Sequence, residues 1–125
     1  RPKLLLAARP RRSELPRYKM IVMSDPLPGR EEEFDQWYQN VHLPEMVALQ
    51  GFKSARRLRQ CATLGARKSY SHAVIYEIET DDIDAVVNNL VQVAEDAELT
   101  MSDAMDRENT YAAVYEELGT EVLEP

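Results

Sequence analysis

Four short runs dense in apolar, aromatic and β-branched residues alternate with two stretches of helical periodicity, and that order leaves few folds open. "YKMIVMS" (18–24) is the first run, and "DPLPG" closes it, because prolines and a glycine do not continue a central strand. A helix opens near Arg30 with Glu31, Glu32 and Glu33 in its first turn, where carboxylates suit the positive end of the helix dipole. Phe34, Trp37, Tyr38 and Val41 then recur at helical spacing. "FKSARRLRQ" (52–60) reads as a second strand and "YSHAVIYEIET" (70–80) as a third. "DDIDAVVNNLVQVAEDAEL" (81–99) is a second helix with aspartate caps, and "TYAAVYEEL" (110–118) a fourth strand. The order βαββαβ predicts an α+β, ferredoxin-like fold: a four-stranded antiparallel sheet with two helices on one face.

Two helices cover only one face of such a sheet, and the strands carry no clean polar face for the other. In the third strand His72, Val74, Tyr76 and Ile78 share one side while Ala73, Ile75 and Glu77 share the opposite one. Tyr18, Met20 and Val22 oppose Lys19, Ile21 and Met23 in the first. An uncovered apolar face of that size is rare in a soluble monomer, so a homodimer with two sheets face to face is expected.

Charge narrows the partners. The chain carries −7 overall, but the first 17 residues hold six basic side chains and one acidic, leaving −12 on the remainder. An acidic body repels phosphates, which argues against nucleic acid. Residues 1–17 read as a basic tail, 18–118 as the domain and 119–125 as an acidic tail. No apolar run approaches the roughly 20 residues that cross a bilayer, so no membrane partner is expected. The single cysteine, Cys61, forms no internal disulfide and fits a reducing, cytoplasmic setting. It has no base nearby in sequence, the two histidines lack metal-ligand spacing, and no glycine-rich phosphate loop is present. No metal and no cofactor are expected.

The segment "PGREEEFDQWYQNVHLPEMVALQGFKSARRLR" joins a Pro-Gly-Arg entry, an acidic helix, a His-Leu-Pro-Glu break and a Gly-Phe lead into a strand with paired arginines. With the βαββαβ order, it resembles the dimeric α+β barrel superfamily, in its EthD-like branch, over about residues 18–118. The superfamily includes cofactor-independent monooxygenases, lactone isomerases, polyketide cyclases, lyase-type enzymes, haem-degrading proteins and domains without an assigned reaction. The fold does not choose among them.

Several residues are candidates for a site. Pro44 disfavours a helical Leu43, so the first helix is expected to stop or kink at His42. At such a C-terminus the dipole favours a protonated imidazole. Tyr38 one turn earlier and Asp35 two turns earlier lie on its flank, a constellation able to move a proton. The plainer reading is that His42 caps the broken helix. The resemblance implies instead that the histidine of the His-Leu-Pro-Glu motif faces the cleft. Trp37, with Phe34, centres the apolar stripe and reads as core that can also line a pocket. Arg56 and Arg57 point to opposite faces; Arg57 is preferred for the interior, holding an anionic oxygen, although both could reach solvent. His72 and Tyr76 join the site if their face lines the barrel, and are structural if it packs on the helices.

The expected function is cofactor-independent acid/base chemistry, an isomerisation, cyclisation or elimination, on an apolar oxygenated small molecule. His42, Tyr38 and Arg57 would be catalytic, with Trp37, His72 and Tyr76 against the substrate. The alternative is a non-catalytic dimeric ligand-binding or accessory module; a haem-handling or cofactor-free monooxygenase role ranks below both.

Overall fold

The computed structural model describes residues 14–125. Most of the expected basic tail lies outside them. The elements follow as β1 (Arg17–Ser24), α1 (Glu31–Trp37), a π-helical turn (Tyr38–His42), α2 (Leu43–Val47), β2 (Phe52–Arg59), β3 (His72–Glu79), α3 (Ile83–Glu95), a 3₁₀ turn (Arg107–Asn109) and β4 (Tyr111–Glu116). The strands form one antiparallel sheet in the order β2-β3-β1-β4, the ferredoxin-like arrangement. Arg17 already pairs with Glu79, one residue before the expected domain boundary.

The core lies between the sheet and the helices. Met20, Val74, Tyr76, Ile78 and Phe52 from the strands meet Phe34, Trp37, Tyr38, Leu43 and Met46 from the first helical segment and Val86 from α3. The face of β3 carrying His72, Val74, Tyr76 and Ile78 is therefore the helix-covered one. The register sets Tyr18, Met20, Val22 and Ser24 of β1 against these four residues.

Of the expected stop or kink at His42, the stop does not occur, and the irregularity there is a π turn. Leu43 is helical, at φ −61° and ψ −45°, and the helix passes through Pro44 by widening. The Leu43 N–H reaches back to the Tyr38 carbonyl, an i→i+5 bond. A π turn inserts one residue per turn, so the chain accommodates a proline that has no N–H to donate and whose ring would crowd the preceding turn. The extent of the second expected helix, α3, also shifts. Asp82 caps it as anticipated, accepting from the Ala85 N–H at 3.1 Å, but the helix ends at Glu95 and Ala97 turns left-handed at φ 56°.

β2 holds an irregularity that matters for function. Phe52 pairs with Ile78, yet Ser54 pairs with Glu77, so Lys53 is an extra residue, a β-bulge. Strict alternation from buried Phe52 would send Arg56 to the helices. The bulge reverses the parity: Arg57 faces the helices, and Arg56 stands on the open face beside Lys19, Ile75 and Glu77. The preference for Arg57 in the open-face interior is corrected accordingly.

Gly51 makes the entry to this bulge possible. It sits at φ +87°, and a Cβ there would come within 2.7 Å of the Val86 side chain. Gly51→Ala combines a left-handed backbone with overpacking and should cost about 1–3 kcal/mol, read as a lower urea midpoint at unchanged slope. A midpoint equal to wild type would contradict this packing.

Candidate functional site

At the β2 edge of the sheet, α1, β2 and β3 each supply one charged or titratable side chain to a single cluster. Asp35 projects from α1 and accepts from the Arg57 guanidinium of β2, Nη2 to Oδ1 at 2.5 Å. His72 opens β3 with Nε2 3.6 Å from the same carboxylate oxygen, too long for a hydrogen bond and short enough for an ion pair. Its Nδ1 lies 2.7 Å from the Ser71 hydroxyl, and the Ser71 N–H is held by Asp25 Oδ1 at 2.7 Å.

Aromatic rings back the cluster. The guanidinium carbon of Arg57 stands 5.2 Å from the Tyr38 ring centroid and 5.7 Å from that of Phe34, and the Phe34 ring meets His72 edge-on at 5.1 Å. Cation–π contact and the short ion pair together fix the arginine, whose side chain is only 15% exposed. The cluster borders a cavity of about 500 Å³, completed by Gln36, Gln39, Asn40, Leu58 and Arg59. Burial pushes the His72 pKa down, opposed by Asp35, so the ring is neutral at neutral pH.

His42 is elsewhere. In a π turn, residues five apart stack, so His42 lies over Trp37 with ring centroids 4.6 Å apart and planes at 23°. It does not fall in line with Asp35, and it does not line the cavity. Only 9% of it is exposed, and Nδ1 is buried without a partner. Burial pushes its pKa down, against a smaller opposing pull from Glu45. The expected dipole effect, which would have favoured the protonated ring, is overturned because no helix ends at this point.

The other candidates divide in the same way. Trp37 is core, its indole N–H donating to the Thr100 carbonyl at 2.7 Å. Tyr38 is 2% exposed; its hydroxyl bonds with Ser24, and burial raises its pKa, so it contributes a ring behind Arg57 rather than an accessible phenol. Tyr76 is fully buried with a partnerless hydroxyl, its pKa raised by burial. Of the expected site residues, the fold brings together Arg57, His72 and the Tyr38 ring. Asp35, expected beside His42, stands beside Arg57 and His72, and Gln36, Gln39, Asn40 and Arg59 join the lining without having been expected there. Their signal lay in spacing, i to i+4 on α1 and i to i+2 on β2. Among the described residues no group of three or more His, Cys, Asp or Glu side chains is placed to hold a metal ion, and no helix is long and apolar enough to cross a membrane.

No family model matches the chain, and no curated protein matches it. Among solved structures, the fold is similar to that of an ethyl tert-butyl ether (EthD) family protein from Bacillus halodurans, with a TM-score of 0.57 and 18% identity. The match covers 82% of this chain and 99% of the other. At this identity the likeness shows the fold alone, the α+β, ferredoxin-like arrangement.

The buried histidines make stability depend on pH. An unfolded imidazole takes its proton near pH 6.5, whereas folded His42 and His72 hold out to lower pH. The unfolded state therefore binds more protons in that interval, and stability is fully present above about pH 6.5 and falls as pH drops towards the folded values. His42→Phe keeps a ring on Trp37 and removes the orphaned nitrogen. Urea midpoints of this variant should decline less between pH 7 and 5 than those of wild type; an identical decline would show that His42 is not a titrating burden.

Proposed function

We propose that the Asp35–Arg57–His72 cavity is the active site of a small cofactor-independent enzyme that moves a proton on an enolisable, oxygenated organic molecule. The observation that carries this reading is one neutral imidazole and one guanidinium beside the same carboxylate, on the wall of a single open cavity. With Nδ1–H donating to Ser71 Oγ, the lone pair of His72 sits on Nε2. Nε2 takes the proton of a carbon acid, and the imidazolium so formed gains an ion pair with Asp35. Arg57, already fixed by Asp35 and the Tyr38 and Phe34 rings, stabilises the enolate oxygen. Return of the proton to a second carbon gives isomerisation, and loss of a leaving group gives elimination. Gln36, Gln39 and Asn40 offer amides to the substrate's other oxygens.

His42 has no part in this scheme, since the cavity is lined without it. The direct test is α-proton exchange of a panel of lactones, oxo esters and cyclic diketones in heavy water, followed by NMR. His72→Gln should slow exchange of an active compound about 10²- to 10⁴-fold, with His42→Phe near wild type. Equal exchange by wild type and His72→Gln would remove the role. Saturable binding without exchange would leave a ligand-binding module.

We also propose that a second copy of this chain covers the open face of the sheet. Ile21 and Ile75 pair at its centre, Leu58 and Tyr115 are 44% and 47% exposed, and Lys19 bridges Glu77 and Glu117 at its margin. That mixture, an apolar middle with a charged rim, is what an isologous two-fold interface buries. Ile75→Glu should convert a dimer to a folded monomer in light scattering; a wild type that is monomeric at micromolar concentration would overturn the proposal.

A further inference from the structure

A second cavity, of about 410 Å³, adjoins the first. Leu58, Arg59 and His72 line both, so the two form one groove that bends around the β2 edge of the sheet. The second half has a different character. Met23, Leu58 and Ala73 stand in a cross-strand row, with Ala73 paired to both others, and Ala66 and Tyr70 of the β2–β3 connection face them. The row sits at the strand ends next to that connection, one step from the Ile21–Ile75 pair, and Leu58 borders both the groove and the face assigned to a second copy.

The cations around the groove are not equivalent. Arg57 is committed to Asp35, and Lys68 to Asn109 Oδ1 at 2.7 Å with its ammonium 5.3 Å from the Tyr70 ring centroid. Arg59 is exposed and has no carboxylate partner among the described residues, yet it stands where the two halves meet. In a chain of net charge −7, an uncommitted guanidinium at the junction of a polar and an apolar cavity is a recognition element for an anion.

We infer that the groove takes a carboxylic acid with an apolar chain: the carboxylate pairs with Arg59, the chain lies along Met23, Leu58, Tyr70 and Ala73, and the polar cavity receives the oxygenated end. This names the substrate class for the site proposed above and rests on that reading only for the chemistry, not for the binding. Arg59 is a specificity-determining residue, because a planar guanidinium matches a carboxylate with two parallel hydrogen bonds, while a neutral amide in the same position makes fewer and weaker ones.

Calorimetric titration tests it without turnover, using the straight-chain acids from butanoic to decanoic and their primary amides. Wild type should bind the acids with affinity rising roughly threefold per added methylene, as expected for chain buried against apolar walls. Arg59→Gln should weaken the acids about 10- to 100-fold and leave the amides unchanged. Ala66→Trp, in an exposed loop, fills the apolar half and should abolish the gain with length while sparing butanoic acid. A flat length series, or Arg59→Gln binding acids as wild type does, overturns the inference. Absence of proton exchange with these binding results intact overturns the catalytic reading and leaves the acid site standing.

Discussion

One extra residue in β2 decides which chemistry the molecule can assemble. Because Lys53 bulges from the ladder, every side chain after it changes face, and Arg57 turns from the open side of the sheet towards α1. There it meets Asp35 at 2.5 Å and lies over the adjoining Tyr38 and Phe34 rings. Arg59, two residues on, follows it to the same groove. Without the bulge, Arg56 would take the helix-facing place of Arg57, and Leu58 rather than Arg59 would stand opposite His72. The left-handed Gly51 immediately before it lets the chain reach this register under Val86.

A second irregularity works in parallel on the helix. The π turn at Tyr38–His42 carries the chain through Pro44 and rotates His42 beneath Trp37. Asp35 and the amides of Gln36, Gln39 and Asn40 remain on the flank that faces β2. The two histidines thus exchange the roles their sequence contexts suggest. The one in the conspicuous motif is packed against the indole with a buried nitrogen unpartnered, and the one at the start of an ordinary strand stands at the cavity with a carboxylate and a hydroxyl on its two nitrogens. Both rings are held neutral by burial; Asp35 lies within ion-pair distance of His72, whereas His42 has the smaller opposing pull of Glu45.

The likeness to an EthD family structure extends over most of both chains and fixes the architecture, while leaving chemistry to the side chains on it. The positive charges of this chain are unevenly placed. The body is acidic, yet Arg57, Arg59 and Lys68 gather around one groove at the sheet edge. Such clustering against the overall sign draws anions to a single place on the surface.

The sequence by itself determined the elements and their order, because alternation within strands, helical spacing and the Pro-Gly and Gly-Phe junctions are local properties that need no knowledge of neighbours. It also determined that the face of the sheet opposite the helices is partly apolar. Which face each arginine and histidine occupies was decided only in three dimensions. A bulge and a π turn each add one residue to a repeat, and from that point the periodic assignments are displaced: Arg57 changes sides, and His42, still edge-on to Tyr38, stacks on the face of Trp37. Neither insertion has a composition of its own, since each is chosen by the packing of Val86 on Gly51 and by the helix's passage through Pro44. The pairing of Asp35 with Arg57 and His72, 22 and 37 residues away along the chain, belongs to the tertiary structure for the same reason.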